Sequence, residues 1–122
     1  MKIRIKGNSI RMRLTKSEVE DFSNNKIRTE QTKIGNHVFS YELVQSDEHQ
    51  NPHAVFEHNK ISVFIPKATS EHWCLTDLVG FSHYHENPDG SNLYLLIEKD
   101  FACLDNADED QSDNYPNPKA NC

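Results

Sequence analysis

The sequence predicts an α+β fold: a strand-strand-helix-strand-strand unit occurs twice and builds a mainly antiparallel sheet, curled or closed into a barrel, with two short helices outside. Three observations lead there. The first stretch, Lys2 to Leu14, alternates at period two about Gly7-Asn8, with Ile3, Ile5, Ile10, Met12 and Leu14 on one face and Lys2, Arg4, Lys6, Arg11 and Arg13 on the other. The same order of two strands, a helix and two strands restarts at Ala54. A shift of about fifty residues lays Ile10 to Glu18 on Ile61 to Glu71, within the range of internal repeats.

Each element has a local cause. Thr15 followed by Glu18 is a capping-box pattern, so a short helix is expected through Val19 to Phe22. Ser23-Asn-Asn stops it. Ile27 to Ile34 alternates as an exposed strand would, Gly35-Asn36 turns the chain, and His37 to Val44 is a stronger strand with Phe39, Tyr41 and Leu43 on one side. Gln45 to Pro52 is polar and reads as a loop. Ala54 to Glu57 and Ile61 to Ile65 are strands about a His58-Asn-Lys turn, and Thr69 to Cys74 is a second short helix. Leu78 to His85 and Leu93 to Phe101 are the closing strands about Asn87-Pro-Asp-Gly90. Core positions are expected at Ile3, Ile5, Ile10, Met12, Leu14, Phe39, Tyr41, Val63, Ile65, Trp73, Val79, Phe81, Leu95 and Ile97.

With 122 residues the chain is one domain's worth, read as a single α+β body over 1–104 and an acidic tail with Pro and Asn over 105–122. The tail has almost no apolar residues, apart from Tyr115 as a candidate anchor. A net charge of -6 argues against nucleic acid as a partner, since phosphate backbones select basic domains. The cations nevertheless gather near the N-terminus, which allows a local anion site. No apolar stretch approaches a membrane span and none opens the chain, so a cytoplasmic protein without signal peptide or membrane partner is expected. Cys74, Cys103 and Cys122 are an odd number at no framework spacing and fit reduced thiols.

The strand and helix order resembles the CYTH-like, triphosphate-tunnel architecture, in which a duplicated unit makes a barrel around a polar channel. The alternating glutamates that open that family are absent, as Lys2-Ile-Arg-Ile-Lys6 stands there, so no catalytic activity carries over. Lys2 to Arg11, Glu98 to Leu104 and Glu109 to Pro118 together resemble a family of small uncharacterised bacterial proteins, a domain of unknown function. That resemblance implies a free-standing domain and no particular chemistry.

Four groups of residues are candidates for chemistry. Arg4, Lys6, Arg11 and Arg13 share one hairpin face, and arginine's planar fork suits phosphate or carboxylate, so a small anion or phosphate-containing ligand is the expected partner. Cross-strand pairing with acidic neighbours would satisfy the same face without any ligand. Glu98 and Asp100 share a face of the last strand, as a magnesium site beside a phosphate would require. That makes a metal-dependent oligophosphate hydrolase one alternative, and a protein-interaction module is another. His83 and His85, two apart on a strand, are a possible pair of metal ligands. Cys74 beside Trp73 reads as packing, and no nucleophile elbow, phosphate loop or dinucleotide fingerprint occurs. The acids from Asp105 to Asp113 lack the glycine and terminal glutamate of a calcium loop.

Overall fold

The computed structural model describes residues 1–101 and 112–116. Eight strands and two helices follow in the order β1 (Lys2–Ile5), β2 (Ser9–Leu14), α1 (Lys16–Asn25), β3 (Ile27–Ile34), β4 (His37–Gln45), β5 (His53–Glu57), β6 (Lys60–Ile65), α2 (Lys67–Leu75), β7 (Gly80–Glu86) and β8 (Asn92–Lys99). The helices extend beyond the expected spans by about a turn. At the start of α1 the Glu18 carboxylate accepts from the Thr15 amide at 2.9 Å, as the capping-box pattern requires. Lys26, at φ 64°, ends the helix in the left-handed conformation and donates its amide to the Phe22 carbonyl.

The strands form two sheets and do not close into a barrel. Sheet I has the order β1-β2-β8-β7 and sheet II the order β3-β4-β6-β5. Each is made of two antiparallel hairpins joined through a central parallel pair, β2 with β8 and β4 with β6. The sheets are therefore mixed: four of the six pairings are antiparallel, as the expected mainly antiparallel pattern has it, and the two central seams are parallel.

The duplication explains both seams. Moving 51 positions along the chain carries the Lys2–Arg13 pair onto His53–Phe64, and it carries the start of α1 at Lys16 onto the start of α2 at Lys67. Exchanging the two halves turns β1-β2-β8-β7 into β5-β6-β4-β3, which is sheet II. Each sheet thus takes its first hairpin from one half and its second from the other.

One apolar core lies between the two sheets and the helices. Ile10, Met12, Leu14, Leu95 and Ile97 reach it from sheet I, Leu43, Ile61, Val63 and Ile65 from sheet II, and Val19, Phe22 and Trp73 from the helices. Equivalent positions pair across the repeat: Ile10 with Ile61, Met12 with Val63, Leu14 with Ile65, Phe22 with Trp73. Burying a side chain of this size stabilises by about 1.5–3 kcal/mol, so this shared cluster holds the halves together. Among the described residues, apolar side chains fill the space between the sheets where the CYTH likeness implies a polar channel. Two expected core residues are outside it: Ile5 is 55% exposed beside the first turn, and Val79 is 45% exposed just before β7.

Part of the tail region docks on this body. The Tyr115 amide donates to the Asp100 carbonyl at 2.9 Å, and the Tyr115 ring packs 5.6 Å from Phe101 beneath the ammonium groups of Lys16 and Lys99. Asp113 accepts from the Ser17 amide and, at 2.6 Å, from its hydroxyl, covering free donors at the start of α1. The expected Tyr115 anchor is thus present. Cys103, Cys122 and the acids Asp105 to Asp110 lie outside the described residues.

Candidate functional site

Inward Ile10, Met12 and Leu14 force Arg11 and Arg13 to the other side of β2, and pairing with β1 sets Arg4 opposite Arg11 and Lys2 opposite Arg13. On the far side of β2 the parallel seam sets Leu96 beside Arg11 and Glu98 beside Arg13. The four arginine and lysine positions expected from the sequence therefore do share one face of sheet I, turned away from the core. Arg4 and Lys6 are exposed and Arg11 and Arg13 half-buried, and among the described residues no channel wall faces them.

Among the described residues, two carboxylates answer part of this charge. One oxygen of Glu98 accepts from Nε of Arg11 at 2.6 Å and from Nε of Arg13 at 2.7 Å. Buried Asp100 lies 3.2 Å from the Lys2 ammonium. Among the described residues Arg4 and Lys6 have no carboxylate partner. A depression of about 280 Å³ lies over them, lined by Arg4, Lys6, Arg11, Tyr94 and Leu96. A second, of about 190 Å³, extends along Arg4, Arg11 and Arg13.

The repeat supplies an internal control for this face. The positions of sheet II equivalent to Arg4, Lys6, Arg11 and Arg13 carry Val55, Glu57, Ser62 and Phe64. Backbone and register are the same there, yet the cations are gone. The fold does not require four positive charges at these positions.

The remaining candidates are distributed differently. Glu98 and Asp100 do lie on the cationic side, but the Glu98 oxygen is held by two guanidinium groups. His83 and His85 share the inner side of β7, and His85 belongs to a column of rings: His49 stacks on His53 at 3.8 Å, and His53 meets His85 at 4.2 Å. Nδ1 of His85 accepts the Ala54 amide, a contact that joins the edge strands of the two sheets. Burial, then repulsion among the neighbouring rings, holds His53 and His85 below the ordinary imidazole range. No three His, Cys, Asp or Glu side chains converge as a metal centre among the described residues. Burial raises the Cys74 thiol despite hydrogen bonding from Ser70 and the nearby Lys99 charge, so the thiol is a packing group.

A charged cluster around the N-terminus was not anticipated. The ammonium of Met1 lies between Glu18 and, at 2.6 Å, Glu30, while Arg28 bridges Glu18 and Asp21. Burial alone would raise the Glu18 carboxyl, but hydrogen bonds from that ammonium and from Thr15 outweigh it and lower it. The alternation Arg28, Glu30 along β3 was the available signal, hidden because that strand reads as exposed.

The architecture defines a class: a duplicated α+β domain of two hairpin-exchanged mixed sheets with a cationic face on one of them. The chain belongs to the family of unknown function DUF7009, whose family model covers residues 1–119. No curated protein and no solved structure matches it. No helix among the described residues is long and apolar enough to cross a membrane.

Proposed function

We propose that this protein binds a small anionic, phosphate-containing ligand on the outer face of sheet I, held by Arg4, Lys6, Arg11 and Arg13. The observation that carries the reading is the unanswered charge: among the described residues, Arg4 and Lys6 have no carboxylate partner and open onto a depression lined by neither Glu98 nor Asp100. Like charges set opposite each other, as Arg4 and Arg11 are, repel, and a bound anion relieves that repulsion. The absence of these cations from the equivalent face supports a role beyond folding.

Thermal melting of the wild type and an Arg4→Gln, Lys6→Gln variant, titrated with phosphate, pyrophosphate, triphosphate and ATP, tests the reading. A ligand at a hundredfold excess over its dissociation constant stabilises the folded state by about 2.7 kcal/mol. The wild type should gain in midpoint and the variant should not. No gain with any anion would leave the face as structural pairing. Release of inorganic phosphate from triphosphate or ATP in a parallel incubation with magnesium would convert the binder into a hydrolase and return Glu98 and Asp100 to a metal-binding role.

A further inference from the structure

The outer face of sheet I changes chemistry along its strands. Its first row, Lys2, Arg13, Glu98 and Gly80, is charged across three strands. The second row, Arg4, Arg11, Leu96 and Ser82, is cationic on one side and uncharged on the other. The third sets Ser9 beside Tyr94 and Tyr94 beside Tyr84. Tyr94 and Leu96 line the same depression as Arg4, Lys6 and Arg11. The Tyr84 and Tyr94 rings lie 5.0 Å apart, tilted by 50°, and Tyr84 is 66% exposed.

Two aromatic rings, Tyr84 exposed and Tyr94 half-buried, beside cations without a described carboxylate partner have two uses. Either the cations cover the rings, or the rings meet something from outside. The cation-ring contacts found among the described residues are at Tyr115, on another part of the molecule, so the cations of this face do not cover Tyr84 and Tyr94. Leu96 continues the apolar surface toward Arg11.

The geometry points to a phosphate monoester that carries a flat ring, its phosphate on Arg4, Lys6 and Arg11 and its ring on the Tyr94-Tyr84 platform. This rests on the anion-binding reading above and names the ligand class for that site. Arginine forks hold the phosphate oxygens, while stacking on tyrosine accepts any flat ring. An aliphatic phosphate would satisfy only the first half of the site.

Calorimetric titration at low salt with ribose 5-phosphate, phenyl phosphate and adenosine monophosphate tests this, on the wild type, Tyr84→Leu, and Tyr84→Leu with Tyr94→Leu. Stacking contributes enough for the ring-bearing esters to bind on the order of tenfold tighter than ribose 5-phosphate. The double variant should lose that advantage while keeping its affinity for ribose 5-phosphate. Exposed Tyr84→Leu alone should lose part of it and guards against a folding defect. A preference for adenosine monophosphate identifies the ring as a nucleobase, and equal binding of the two ring-bearing esters leaves any flat ring acceptable. Equal affinity for ribose 5-phosphate and the ring-bearing esters, or an advantage that survives the double variant, overturns the platform and leaves the anion site standing. No binding by any of the three overturns both.

Discussion

Replacing Glu98 by Gln should move stability and anion affinity in opposite directions. The Glu98 oxygen takes both arginine Nε donors, and the amide keeps an acceptor of the same shape while removing its charge. Hydrogen bonds to a charged group contribute roughly 1.5–3 kcal/mol each when desolvated, and exposed pairs about 0.2–1 kcal/mol. Arg11 and Arg13 are 32% and 41% exposed, so solvent screening brings the expected loss to about 1 kcal/mol for the two together. For a chain of this length that is a fall in Tm of roughly 4 °C. The anion gains instead. A unit charge about 10 Å away at an effective dielectric of 20 contributes roughly 1.7 kcal/mol, so removing Glu98's charge should tighten phosphate binding on the order of tenfold. Melting curves with and without phosphate, at low salt and at about 0.5 M, read both effects, and the added salt should shrink both. A variant with unchanged Tm and unchanged or weaker phosphate binding would refute the assignment of Glu98 as the competitor for this face.

Three further outcomes are expected. Trp73→Ala should cost about 3–5 kcal/mol in urea unfolding, because the ring is fully buried against Phe22 and Phe81. Trp73→Phe should cost less, chiefly the bond from Nε1 to the Val79 carbonyl at 3.1 Å. Asp113→Asn should lower Tm at neutral pH: the Ser17 hydroxyl, then Thr15, hold the Asp113 carboxyl below its ordinary value, so its contribution is present above about pH 3.8 and disappears as pH falls through the lowered value. Matching melting curves at pH 7 would show that the Asp113 carboxylate charge adds nothing to α1. His53 and His85 titrate lower in the folded chain than in the unfolded one, so the unfolded chain takes up protons first and stability should decline as pH drops below about 6.5. His53→Phe should flatten that decline in urea midpoints measured from pH 8 to 5, and an unchanged slope would exclude the column as its source.

Much of the fold was legible because it is local. Period two separated Ile10, Met12 and Leu14 from Arg11 and Arg13, Thr15 with Glu18 marked the start of α1, and the shifted second half marked the repeat. The same rule failed at Ile5 and Val79, where alternation runs past the part of the sheet that the other sheet covers. Phe22 and Leu43 were seen on their elements but not assigned to the core, since burial is decided by what packs opposite. The parallel seams were invisible for a related reason: they join β2 to β8 and β4 to β6 across long stretches of chain, and no turn residue records such a pairing. The site was half legible. The cations announced themselves, whereas the sequence offered no way to know that Glu98 would take two of them, or that Tyr94 and Tyr84 would stand beside the others.

The exchange of hairpins between halves carries an evolutionary consequence. A single strand-strand-helix-strand-strand peptide has one hairpin for each of two sheets and can complete neither, but two copies related by a twofold axis complete both. The present chain is what fusion of such a homodimer would produce. Fusion frees the copies to diverge, since a substitution in a symmetric dimer appears twice and one in a fused chain appears once. Arg11 against Ser62 and Arg13 against Phe64 are such single-sided changes, so a cationic face confined to one sheet is a property that only the tandem chain could acquire.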